Sequence, residues 1–169
     1  MNRFTRSSIA LAALTLASVL AFTSKASADT AQLKVETKVP SYCAFDAASL
    51  TPGALGKNFT NNTLDSTDTT NGGIVGSVDL TCNNPGSQLA IASVTFTQPT
   101  GASANLTSQL VTVTHPDGSV TYNGANASDP VSITSLGAIQ NVKTDAKAVY
   151  SAPLIAGDYA FTINLTATP

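Results

Sequence analysis

The chain has 169 residues, only 11% of them charged, with two cysteines, one histidine and no tryptophan. Arg3, Arg6 and Lys25 all lie in the first 28 residues. Beyond them five lysines face ten carboxylates, a net charge of −5 with no arginine. This balance excludes recognition of a phosphate backbone, where lysine and arginine clusters carry the affinity.

Residues 1–28 read as a signal peptide. Arg3 and Arg6 form a positive n-region, and Ile9 to Phe22 form an apolar run too short to span a bilayer. Ala26-Ser27-Ala28 is an A-x-A cleavage signal. The expected mature chain, 29–169, is one all-β domain, exported and without a membrane span.

Its first stretch, Ala31 to Val39, alternates strictly. Leu33, Val35, Thr37 and Val39 share one face, and Gln32, Lys34, Glu36 and Lys38 the other. The pattern predicts a strand running through Pro40 into Tyr42 and Cys43. Residues 47–73 are rich in turn formers and predict short edge strands and coil, with Phe45, Leu50, Leu55 and Phe59 as candidates to dip into the core. Ile74 to Cys82 alternates again and puts Cys82 on an apolar face. Asn83-Asn84-Pro85-Gly86 breaks the chain as a turn. Leu89 and Ile91 are out of phase with Val94 and Phe96, which predicts a bulge near Ala92-Ser93.

Leu110 to Thr114 and Ser119 to Tyr122 form a hairpin pattern across His115-Pro116-Asp117-Gly118. Residues 123–130 read as a loop, Val131 to Ser135 as a short strand, and Ala146 to Ser151 as another. In the last strand Tyr159, Phe161, Ile163 and Leu165 oppose Ala160, Thr162, Asn164 and Thr166. Short alternating strands with no helix pattern after residue 28 predict an immunoglobulin-like β-sandwich. An even cysteine count in an exported chain favours a Cys43–Cys82 disulfide over a metal pair or a reactive thiol.

Three features in this order, an alternating strand running into Cys43, a second strand closing on Cys82, and a final strand entered through Ala156-Gly157-Asp158-Tyr159, resemble the spore coat protein U domain. That is the pilin-like domain of archaic chaperone-usher pili. The resemblance implies a sandwich lacking one strand, whose groove is filled by a periplasmic chaperone and then by the N-terminal strand of the next subunit. Carried onto this chain, residues 29–39 are the candidate donor strand. Leu33, Val35, Thr37 and Val39 form its inserting face, with Ala31 as an outer anchor. The implied partners are pilus subunits or further copies of the chain, a periplasmic chaperone and an outer-membrane usher. The implied location runs from the periplasm to the cell surface as a fimbrium for adhesion or biofilm.

An enzyme is not expected. His115 is the only histidine, and its place in a tight turn reads as solvated, outside any Ser-His-Asp arrangement. No cofactor or metal is expected. Asp65 and Asp68, with Asn61, Asn62 or Asn71, could offer oxygens to calcium, but their spacing is not that of an EF-hand loop, and solvation is the expected role. Tyr42, Phe45, Phe59, Tyr122 and Tyr150 are scattered candidates for a sugar platform. The alternative function is therefore a monomeric extracellular module binding a glycan or a protein.

Overall fold

A central strand of eleven residues, β9 (Gln140–Tyr150), organises the molecule, seen here in a computed structural model that describes residues 34–169. Val142, Ala146, Ala148 and Tyr150 alternate on one face of β9 and are buried, while Asn141, Lys143 and Lys147 face water. This is the period of a strand with one wet side.

The other strands are β1 (Cys43–Thr51), β2 (Gly56–Asn58), β3 (Thr63–Asp65), β4 (Gly76–Cys82), β5 (Gln88–Thr97), β6 (Leu106–His115), β7 (Gly118–Tyr122), β8 (Val131–Ser132) and β10 (Ala160–Thr168). One edge of β9 carries β4 along its first half and β3 along its second. The opposite edge carries β6, and all ladders are antiparallel. With β1 outside β4, β2 outside β3 and β7 outside β6, this sheet has seven strands. The second sheet has three, in the order β10-β5-β8. Leu80, Val111, Val113 and Val142 of the larger sheet share one core with Leu89 and Ile91 of the smaller, so the two pack face to face.

Residues 38–169 form one compact unit, and residues 34–37 are the described end of another. The proposed signal peptide and Leu33 lie outside the described residues.

Several sequence expectations are met. β4 covers the alternating stretch to Cys82, and Cys43 and Cys82 are bonded as direct cross-strand neighbours. The bulge falls at Ala92: Asn164 pairs with Ser93 and Leu165 with Ile91, which leaves Ala92 without a partner. The hairpin closes through Pro116 and Asp117 between the paired His115 and Gly118.

Others are corrected. Residues 34–42 contain no strand; the first among the described residues begins at Cys43, beyond Pro40, which has no N–H to give to a ladder. β3 is interior rather than an edge, held by β2 and β9. Leu50 and Phe59 point to solvent, at 61% and 69% exposure, rather than into the core.

His115 is also corrected: it is 2% exposed rather than solvated. It continues the buried face of Val111 and Val113 on β6, and beyond it Asp117 anchors the turn. Its carboxylate accepts hydrogen bonds from the backbone N–H and hydroxyl of both Thr134 and Ser135, at 2.8–3.1 Å. Those bonds hold its carboxyl far below the ordinary carboxylate range and tie residues 134–135 to the hairpin tip. His115 Nδ1 accepts from the Asp117 N–H, so the ring is neutral with its proton on Nε2.

Burial pushes the imidazole below its ordinary value of 6.5, and Asp117 only partly offsets this. The unfolded chain therefore takes up the proton first as pH falls. This group's contribution to stability is whole above pH 6.5 and is lost as pH falls below it. Urea midpoints should fall between pH 7 and pH 5 in the wild type and stay flatter in His115→Gln. Parallel curves would remove His115 from the account.

Candidate functional site

Two strand edges that face each other are left without a partner. Among the described residues β10 pairs with β5 along its whole length on one side and with nothing on the other, and β1 ends the larger sheet beyond β4. Between them the molecule opens into a groove of about 850 Å³. Phe161, Ile163 and Leu165 of β10 form one wall. Leu64, Val78 and Ala146 line its depth, and the chain from Leu50 to Leu55 forms the other wall.

The groove interrupts the core. Phe161, Ile163, Leu165 and Ala167 take the inward face of β10 yet are only half-buried, as are Phe96 and Val94 beside Phe161 and Ile163 on β5; Ile91 and Leu89, beside Leu165 and Ala167, are closed off at 7% and 0% exposure. Apolar side chains left open in a row beside unpaired backbone donors and acceptors make a template for one more strand.

Local chemistry fixes both walls. On β1, residues 47–50 swell out of register between the pairs Asp46↔Asp79 and Thr51↔Ser77. The swelling is pinned by Ser49, whose hydroxyl donates to the Asp46 carbonyl and accepts from the Asp79 N–H. Gly53 then passes so close to Gly76 that a Cβ would meet backbone at 3.0 Å. At the far end an aromatic group supports β10. Phe96 stacks on Phe161 at 4.2 Å, and Tyr159 meets Tyr150 edge-on at 5.9 Å. Tyr150 donates to Gln98 Oε1 at 2.7 Å, and burial, then Tyr159, pushes its hydroxyl up to about 12.

The candidate residues sort as follows. Cys43 and Cys82 are joined, tying the edge strand β1 to β4. Val35 and Val39 of the predicted inserting face are 88% and 73% exposed, and Thr37 is exposed as well.

Asp65 and Asp68 are engaged separately. Asp65 accepts from the Thr67 N–H and hydroxyl and meets Lys147 at 3.0 Å. Asp68 accepts from Asn71 and caps the short 3-10 turn at Thr69–Asn71. Burial raises the Asp65 carboxyl, but the bonds from Thr67 and then Lys147 outweigh it and the net shift is downward. Among the described residues no three His, Cys, Asp or Glu side chains gather as metal ligands. Tyr150 is 4% exposed and belongs to the core, so it leaves the sugar-platform set. Among the described residues no helix is long and apolar enough to cross a membrane.

Two parts of the site went unread in the sequence. Phe161, Ile163 and Leu165 were legible as a strand face but not as a groove wall. Asn83 read only as a turn former. Its side chain accepts from the Tyr42 N–H at 2.7 Å and donates to the Pro40 carbonyl at 2.9 Å, while its own N–H donates to the Tyr42 carbonyl at 3.0 Å. Residues 40–42 are thereby held extended, prolonging the β1–β4 pairing past Cys43.

Compared with protein-family models, curated proteins and solved structures, the chain has no significant match.

Proposed function

We propose that the chain is an exported structural subunit, an immunoglobulin-like sandwich short of one strand, in which residues 31–39 of one copy fill the groove of the next. The observation that carries this reading is the edge of β10, unpaired among the described residues, lying beside an apolar groove into which its own side chains open. The occupant is argued from the chain itself. The stretch 31–39 is nine residues long, as is β10, so both span about 30 Å when extended. It alternates with the period that would set Leu33, Val35, Thr37 and Val39 into the groove and leave Lys34, Glu36 and Lys38 in water. Burying the three aliphatic side chains contributes roughly 5–8 kcal/mol, before ladder hydrogen bonds.

On this reading the role is mechanical rather than catalytic and needs no cofactor. Residues 1–28 direct export, a periplasmic chaperone covers the groove until assembly, an outer-membrane usher receives the subunit, and the product is a surface filament of the spore-coat-U or archaic pilin kind. The groove favours this over a monomeric binding module, whose sandwich would be closed.

Size-exclusion chromatography with light scattering on residues 29–169 should show oligomers that persist on dilution. The same protein lacking 29–39 should run as a monomer. Equal assembly with and without that segment would refute strand donation.

A further inference from the structure

The direction in which the chain leaves the sandwich decides whose groove it can fill. β4 ends at Cys82 and β5 begins at Gln88 across a short turn, so Cys43, paired with Cys82, and Thr168, paired with Gln88, lie at the same end of the molecule. β1 therefore starts at the end where β10 finishes, and the two walls of the groove run in opposite directions. A segment directly preceding Cys43 could enter the groove of its own molecule only by reversing at residues 40–42. It would then lie antiparallel to β1 and parallel to β10. A segment from another molecule is under no such constraint and can pair antiparallel with β10, the slightly more stable ladder.

Residues 40–42 are where that reversal would have to occur, and Asn83 holds them straight. Its amide acts there as a peptide group would, taking the Tyr42 N–H at 2.7 Å and giving an N–H to the Pro40 carbonyl at 2.9 Å. The Asn83 backbone N–H adds the ladder bond to the Tyr42 carbonyl. Lys38 to Ser41 and Asn83-Asn84 then border a shallow cleft at this end of the sandwich.

We propose that Asn83 is the positioning residue that selects assembly over self-closure, by keeping residues 40–42 from turning the donor segment back into its own groove. This rests on the reading of residues 31–39 as a donor strand. Removing the amide frees the Pro40 carbonyl and the Tyr42 N–H to turn, and the closed monomer gains at the expense of the polymer.

The test compares residues 29–169 in wild-type, Asn83→Ala and Asn83→Asp forms, separated by size and probed by amide hydrogen exchange. Two lost bonds should raise the ratio of closed monomer, with residues 31–39 protected, to oligomer by roughly tenfold in Asn83→Ala. Asn83→Asp keeps an acceptor for the Tyr42 N–H but sets a carboxylate against the Pro40 carbonyl, and should shift the ratio the same way. To separate this from misfolding, Asn83→Ala lacking residues 29–39 should take up a peptide of residues 30–40 as readily as the same truncation with Asn83. An unchanged ratio in Asn83→Ala, where the truncation abolishes assembly, overturns the role of Asn83 alone. Assembly that survives the truncation overturns the donor-strand reading and this inference with it.

Discussion

Ile163→Asp should abolish strand uptake while leaving a folded monomer. Ile163 sits midway along β10, faces the groove and is half-buried, opposite Val94 of β5. In the open subunit a carboxylate there keeps contact with water, so the folded domain tolerates it. Under an inserted strand it would be sealed among Phe161, Leu165 and Val78 without a cation, and burying an unpaired charge costs several kcal/mol. Affinity for a peptide of residues 30–40, measured by calorimetry on the protein lacking 29–39, should therefore fall by at least about 100-fold. Thr162→Asp, one residue away on the exposed outer face, should change it little. Equal affinity in wild type and Ile163→Asp would mean that the peptide does not lie on this wall.

The second large effect concerns the opposite wall. β1 is an edge strand whose ladder to β4 breaks after Asp46, and the Cys43–Cys82 bond anchors its start. The bond closes a loop of 39 residues in sequence, which the chain-entropy account rates at about 4 kcal/mol. That is a large share of the roughly 5–15 kcal/mol of a domain this size. Cys43→Ala with Cys82→Ala should lower the melting temperature by roughly 10–15 °C. Because the bond also fixes one side of the groove, the double variant should bind the 30–40 peptide more weakly even where it remains folded. A variant that melts with the wild type would show that the β1–β4 ladder alone holds this wall.

Particular residues explain how far the sequence could be read. The strand ending at Cys82 was legible because Val78, Leu80 and Cys82 contrast with polar neighbours. The bulge at Ala92 was legible because the phase of Leu89 and Ile91 conflicts with that of Val94 and Phe96. The start of β9 was not. Before Ala146 its inward face offers only Val142 and the half-buried Thr144, too little apolar alternation to stand out. His115 was misjudged because it was read as part of the turn, whereas β6 runs on to it and sets it on the same buried face as Val111 and Val113. The groove lies between β1 and β10, more than a hundred residues apart, and no local pattern encodes such a pairing or its absence. The Asn83 clamp was hidden likewise, since its partners are 41 and 43 residues upstream.

The most direct test of strand donation is amide hydrogen exchange on residues 29–169, comparing assembled material with the monomer lacking 29–39. The account predicts slow exchange across residues 31–39 in the assembly and new protection along β10 (Ala160–Thr168) on the side away from β5. Fast exchange in residues 31–39 of a stable assembly, with β10 unchanged, would contradict it.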